Sequence, residues 1–314
     1  MSTWFRRIVV LSLFALGLLP IQQGSTPTRL YATGSFSADR NATDIPVDRR
    51  EAELDWEEGV LRIRLESRIP DELARNPTGA QRVQRSLDRR VDKIYLEAVS
   101  RIQLNSTEPI GEPLNRDAEL VNQIRQASDA LRERYAGPSA DLTHAAVEYA
   151  LELHPELSRR FAPHTRARSV PTVPGWYPSR AFTGIVIYAT NELPVHGTDR
   201  SARPVPALLP RLHDHERYEV VFEPRMVEPE YLERWGPVGY TSPGGEDRFL
   251  ERVGPNPMRV LAAGVYGTHP TDLMIPREDV LRLLSRTENR RLLAEGRVLI
   301  VVDEQRIRES VLAD

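Results

Sequence analysis

At 314 residues, with 40% hydrophobic and 28% charged side chains, the chain has a globular composition and room for two domains of ordinary size. Its 42 basic and 45 acidic residues are interleaved and leave a net charge of −3, which gives no long-range attraction for nucleic acid or an anionic membrane. The chain contains no cysteine, which excludes disulfides, thiolate catalysis, cysteine-rich metal sites and an acylated amino-terminal cysteine.

The amino terminus has the layout of a secretory signal peptide. Arg6 and Arg7 precede an apolar stretch at residues 8–19, which is followed by polar residues. This stretch is shorter than the roughly 20 residues that a membrane-spanning helix needs. We therefore expect export, with a signal peptide at residues 1–24. Residues 25–50 are polar and lack apolar periodicity, so we expect a disordered lead-in there.

Residues 51–160 are predicted to form a first α+β domain. It opens with a hairpin, whose second strand alternates between apolar and charged side chains at residues 61–66. Apolar positions every three or four residues predict a long amphipathic helix at 79–103, and a second helix is predicted between 120 and 136. Alternation at 144–154 predicts a late strand, although the alanine-rich composition would also permit a helix.

Prolines mark residues 161–180 as a linker to a second α+β domain at residues 181–314. Apolar runs at 182–188 and 298–302 predict two strands that are buried on both faces. Between them the sequence predicts a hairpin of residues 206–212 and 218–222, a strand at 258–266, and a helix that begins at Pro276 and ends before Gly296.

The predicted fold class is α+β, in two small domains. The first contains a hairpin plus two helices and a late strand. The second is a mixed sheet with one or two helices packed on it, because the order strand, helix, strand at its end indicates a right-handed crossover.

His213 and His215 are weak candidates for metal ligands. Alternate residues of a strand point the same way, so two imidazoles could share one ion. Two ligands do not complete a site, since closed zinc sites need four and catalytic ones three, and the pair falls in a predicted turn. Residues 239–244 are similar to a nucleophile elbow around Ser242, but they lack the glycine that such an elbow has two positions before the serine. The sequence therefore predicts no metal, no cofactor and no catalytic residue.

Four aromatic residues in proline- and glycine-rich loops of the second half are candidates for an interaction surface: Trp176, Tyr177, Trp235 and Tyr240. Exposed together, they would form a surface for partners. Buried, they would cap the core, which is favoured because large aromatic side chains are mostly buried.

A family resemblance rests on segments of the second half, which come in a familiar order: residues 182–187, 206–212, 236–240, 256–257, 271–272, 278–279 and 297–303. They resemble the carboxyl-terminal part of exported bacterial envelope proteins. That group is similar to small outer-membrane lipoproteins, some of which build rings or discs around the flagellar motor. Two features depart from it: the chain lacks the acylated cysteine, and Tyr188 stands where an aspartate is usual. The resemblance implies an assembly or envelope role and no reaction.

The leading hypothesis is a noncatalytic exported envelope protein that acts in assembly or docking, with a flagellar association as its narrowest form. Its expected location is the periplasm or cell envelope, peripheral to the membrane after signal cleavage. Its expected partners are envelope proteins or a second copy, and no nucleic acid. One alternative is a periplasmic metal-dependent hydrolase using His213 and His215, which needs a third ligand. Another is a small-ligand or glycan-binding module, which needs an aromatic-lined groove.

Overall fold

The computed structural model describes residues 45–175 and 177–312, so the predicted signal peptide and most of the predicted lead-in lie outside the described residues. Within these two ranges no helix is both long and apolar enough to cross a bilayer. The described residues form an α+β protein, which confirms the predicted fold class.

The elements of the first half begin with a hairpin. In chain order they are β1 (Arg49–Asp55), β2 (Val60–Arg68), α1 (Asp71–Ala74), α2 (Gly79–Arg101), α3 (Gly111–Arg116), α4 (Ala118–Ala127), β3 (Arg132–Pro138), β4 (His144–Glu152), a π-helical turn (His154–Ser158) and α5 (Arg159–Phe161).

The second half has shorter elements. They are β5 (Ile185–Ala189), β6 (Leu193–Pro194), β7 (Ser201–Ala202), β8 (Leu212–Asp214), β9 (Val220–Phe222), α6 (Pro229–Trp235), β10 (Gly239–Thr241), α7 (Leu250–Val253), β11 (Met258–Leu261), β12 (Gly264–Tyr266), β13 (Asp272–Ile275), α8 (Arg277–Leu284), α9 (Thr287–Ala294), β14 (Val298–Val302) and β15 (Arg308–Ser310).

The first sheet is antiparallel, in the order β15-β1-β2-β4-β3. Its apolar side chains, such as Leu61 and Ile63, are buried in the core that includes the apolar stripe of α2. The opposite face carries cross-strand charge pairs, and Arg64 lies opposite both Glu51 and Glu148. The predicted hairpin, long helix and late strand are therefore confirmed.

One predicted element of the first half is wrong. The second helix ends at Ala127 and not near residue 136, and residues 132–138 form the edge strand β3. Nearly all side chains of this strand are exposed, so it lacks the alternation between buried and exposed positions that identifies a strand in a sequence.

The second half contains two main sheets. Strands β10, β14, β5 and β11 lie side by side and are all parallel, and β5 and β14 are buried as predicted. Strands β12, β13, β8 and β9 form a mixed sheet. Two further predictions need correction. Only Leu212 of the run 206–212 is in a strand, and the run 258–266 divides into β11 and β12, which belong to different sheets.

The two halves share one core, and the described residues of both belong to a single compact unit. The carboxyl-terminal strand β15 pairs with β1 in the sheet of the first half. The amides of Leu208 and Leu209 donate to the carbonyl oxygens of Gln103 and Leu104, at 2.9 and 2.8 Å. The predicted second domain is thus tied at both of these places to the first.

Candidate functional site

A cleft of about 330 Å³ lies where the two halves meet. Its lining residues come from the first half and from the stretch of the second half that runs from α6 to α7. Its lining includes aromatic, acidic and basic side chains: Trp56, Glu57, Glu58, Glu152, His154, Arg234, Trp235, Phe249 and Arg252. Such a mixture of groups is typical of binding and catalytic sites, so this cleft is the first candidate for one.

The imidazole of His154 lies in a niche between two glycines of different halves. Gly59 and Gly236 both have positive φ, at 65° and 72°. A Cβ on Gly236 would come 2.1 Å from Nδ1 of His154, and one on Gly59 would come 3.6 Å from the ring. Nδ1 also lies 2.9 Å from the hydroxyl of the buried Ser158. Burial, helped by the charge of Arg252, lowers the pKa of His154 to about 3, so the ring is neutral near pH 7.

Arg252 is a buried cation whose nitrogens are all used within the protein. Its Nε donates to the carbonyl oxygen of Gly296 at 2.8 Å, and its two terminal nitrogens donate to those of Trp235 and Gly236 at 2.9 and 2.8 Å. Burial lowers the pKa of this guanidinium. Arg252 therefore ties its own helix to two stretches of backbone, residues 235–236 and Gly296, and every one of its nitrogens is engaged within the protein.

Glu57 is similarly engaged across the junction. Its Oε1 accepts a hydrogen bond of 2.6 Å from the hydroxyl of Thr241, and its Oε2 accepts one of 2.6 Å from Arg248. Since both oxygens bind residues of the second half, this carboxylate closes the junction and is a poor candidate for a general base.

The indole of Trp235 is held in place rather than presented to solvent. Its Nε1 donates to the carbonyl oxygen of Glu295 at 3.0 Å. The ring stacks on Tyr231, with centroids 5.6 Å apart, and three guanidinium groups lie within 5.7 Å of its centroid, those of Arg234, Arg252 and Arg297. A sugar would have to displace these groups to stack on this indole.

Neither Tyr177 nor Tyr240 joins Trp235 in the lining of this cleft. Tyr240 is buried behind the cleft, where its ring packs edge-on against Trp56 with centroids 5.6 Å apart. Its hydroxyl accepts from the amide of Ala207 and donates to the carbonyl oxygen of the same residue. Burial raises the pKa of this hydroxyl. Tyr177 is half-buried, and Trp176 lies outside the described residues.

His213 and His215 do not converge on a shared position. His213 is in strand β8 and not in a turn, and it is 4% exposed, whereas His215 follows the strand and is exposed. Neither ring nitrogen of His213 has a hydrogen-bond partner, and Nε2 lies 3.5 Å from Oδ2 of Asp272. Across the part of the chain that the structure describes, no group of three or more potential ligands could hold a metal ion.

Asp272 connects the two halves through a buried hydrogen bond. The hydroxyl of Ser106, in the loop after α2, donates to its Oδ2 at 2.7 Å. Serine, aspartate and histidine thus lie together, but the serine hydroxyl is bonded to the carboxylate and not to the imidazole. A nucleophilic serine needs the base itself as its partner. The cluster is therefore a tie between the halves.

An aromatic column that the sequence did not indicate leads from this cluster to the surface. It consists of His213, Tyr266, His196 and Tyr218. Successive ring centroids are 4.6, 5.3 and 4.2 Å apart. Tyr266 is 36% exposed and Tyr218, at the outer end, is 52% exposed. Three chain segments supply these rings, so no local spacing could have predicted the column.

Together these contacts define a class of protein: an α+β protein of two domains that are joined by strand pairing and by hydrogen bonds. Residues 49–160 match a family model described as Treponema pallidum Tp0624, N-terminal domain. Residues 184–304 match a second model, described as Treponema pallidum Tp0624, second domain. The chain is therefore similar to Tp0624 along two consecutive domains. No curated protein matches the chain.

Proposed function

We propose that this chain is a noncatalytic exported protein of the bacterial envelope that acts by docking to other proteins. The charged and aromatic groups of the junction cleft support this role, because most of them are bonded within the protein. The bonding of Arg252 and Glu57 is the observation that carries the proposal. A catalytic acid, base or electrophile must instead be free to meet a substrate.

The contacts across the junction support docking in a second way. The halves are joined by strand pairing, by backbone hydrogen bonds and by the buried contact between Ser106 and Asp272. A body of this kind presents its surface in one fixed arrangement, which lowers the entropy lost on association.

The outer end of the aromatic column is the surface that we propose for docking. Tyrosine is enriched at the energetic centres of protein interfaces, because it combines a large apolar ring with a polar hydroxyl and few rotatable bonds. Tyr218 also has a positive φ of 61°, which is unfavourable for a residue with a Cβ. The backbone amide of Tyr218 donates a hydrogen bond of 2.8 Å to the carbonyl oxygen of Asp214, which holds the residue in this conformation.

The proposed partner is a second envelope protein or another copy of the chain, and docking near the flagellar motor is a narrower form of the same proposal. Export through the predicted signal peptide would place the chain in the periplasm.

The experiment uses two exposed tyrosines, Tyr218 and Tyr135, each replaced in the full chain by a photo-crosslinking phenylalanine derivative. After irradiation of intact cells, the envelope fraction is separated and probed for the chain.

We expect a discrete cross-linked species from position 218 and none from position 135, which lies on the charged edge strand β3. A species of twice the mass of the chain would identify self-association, and any other discrete mass would identify a second protein. Recovery of an uncleaved monomer in the cytoplasmic fraction, without a cross-link from position 218, would overturn the proposal.

A further inference from the structure

A short segment after α5, which we call the strap, ties the proline-rich linker to the second half. The strap comprises residues 162–168. The amide of Arg168 donates to the carbonyl oxygen of Arg225 at 2.7 Å, and its guanidinium pairs with Glu223 at 2.8 Å. Val170, just beyond the strap, is partly buried against the core.

His164 is the central contact of the strap. Its Nδ1 lies 2.8 Å from the carbonyl oxygen of Ala162, and its Nε2 lies 2.7 Å from that of Val227. Both distances are those of good hydrogen bonds. A carbonyl oxygen can only accept, so each ring nitrogen must donate a proton.

A neutral imidazole carries one N–H, whereas the imidazolium carries two. In the neutral form, one nitrogen lone pair would therefore face a carbonyl oxygen at hydrogen-bond distance, which is repulsive. We infer that His164 is a protonation-dependent latch: the doubly protonated ring holds the strap on Val227, and loss of one proton releases it.

The charged groups around His164 do not by themselves favour one protonation state of the ring. We therefore assign its protonation from the two carbonyl oxygens that it contacts. On the first half, Arg160 pairs with Glu156 at 3.3 Å, and Arg159 reaches across to Glu233 of α6 at 3.4 Å. All four line the same groove as His164, and α4 contributes the neutral Gln123. Arg166 of the strap and Glu228 beside Val227 carry opposite charges. The charged residues of this groove and of the adjoining sequence, three basic and three acidic, are thus balanced in sign.

The latch gives the linker a pH dependence with a definite sign. Histidine side chains change charge within the range of about pH 5 to 8. At the acidic end of that range the ring makes both hydrogen bonds, and at the alkaline end it makes at most one. The strap is therefore closed in acid and loosened in base. This inference depends on the two hydrogen bonds and not on the proposed docking function.

The first test reads the protons directly. The full chain is labelled with ¹⁵N at its seven histidines, and the signal of His164 is identified by its loss in a His164→Phe variant. At about pH 5.5 we expect both ring nitrogens of His164 to show the chemical shifts of protonated nitrogen. A ring with one unprotonated nitrogen at that pH would overturn the latch.

The second test measures opening of the strap. The chain has no cysteine, so a single Val170→Cys substitution provides one thiol for a labelling reagent. An exposed Ser201→Cys variant corrects for the pH dependence of thiol reactivity. Relative to it, we expect labelling at position 170 to be about tenfold slower near pH 5.5 than near pH 8, as for loss of one charge-assisted hydrogen bond.

The control repeats both single-cysteine variants, Val170→Cys and Ser201→Cys, in chains that also carry His164→Phe. Phenylalanine fills the ring's space without donors, so the corrected labelling rate should no longer depend on pH. If the chain with His164 intact labels equally fast at both pH values, the latch is refuted.

Discussion

The ring of His154 occupies space that only a glycine at position 236 leaves open. A Cβ on Gly236 would come within 2.1 Å of Nδ1, and Gly236 also has a φ of 72°. His154 lies near the end of the first half and Gly236 belongs to the second, so this contact makes the fit between the halves sensitive to a single methyl group.

Gly236→Ala should destabilise the protein by about 3 kcal/mol, because it combines backbone strain with a clash in a packed junction. Gly197→Ala is the matched control: Gly197 has a φ of 74°, but a Cβ there would meet nothing within 4 Å. It should lower the unfolding free energy by only about 1 kcal/mol. Equal losses in urea unfolding of the two variants would show that the contact with His154 contributes nothing.

The low pKa of His154 predicts a loss of stability in acid. The folded-state pKa is about 3, below the ordinary value of about 6.5, so the unfolded chain binds a proton more readily between these two values. This contribution is fully present above about pH 6.5 and is lost as the pH falls toward 3.

A His154→Phe variant keeps a ring in the niche but cannot be protonated. We expect the wild-type chain to lose more unfolding free energy than this variant between about pH 7 and pH 4. At about pH 7 the lost contact with Ser158 should make the variant about 1 kcal/mol less stable than the wild type, and this difference should shrink or reverse as the pH falls. Parallel stability curves for the two chains would contradict the prediction.

Ser106→Ala should lower the unfolding free energy by about 2 kcal/mol, because it removes a buried hydrogen bond to the carboxylate of Asp272. Ser139→Ala removes a bond of the same type, to Asp141, from an exposed turn and should change stability by less than about 0.5 kcal/mol. Denaturant unfolding of both variants measures the difference. A loss no larger for Ser106→Ala than for Ser139→Ala would argue against the buried tie.

Tyr218→Gly should separate docking from stability. Glycine adopts a positive φ without strain, and this gain of about 1 kcal/mol offsets the lost ring contact with His196. We therefore expect a nearly unchanged melting temperature but no cross-link from a photo-reactive residue at Tyr266. Tyr218→Phe, which keeps the ring, should retain the cross-link. Cross-linking by Tyr218→Gly at the wild-type level would exclude the column as the docking surface.

The sequence predicted most accurately those elements in which buried apolar side chains recur at a regular spacing. The apolar stripe of α2 and the alternation in β2 and β4 each follow from one face of the element packing against the core. The buried runs of β5 and β14 follow from cover on both faces. Strand β3 was missed because, at a sheet edge with exposed side chains, it has no such periodicity.

The composition and the periodic patterns of the sequence by themselves determined an α+β protein in two parts. Only the tertiary structure decided how the parts are joined and which side chains remain available. His154 and Gly236 are far apart in the chain, and the aromatic column draws on three segments. Burial leaves a repeating trace along one helix or strand. A contact between distant residues depends on the packing of both partners and leaves no trace in either neighbourhood.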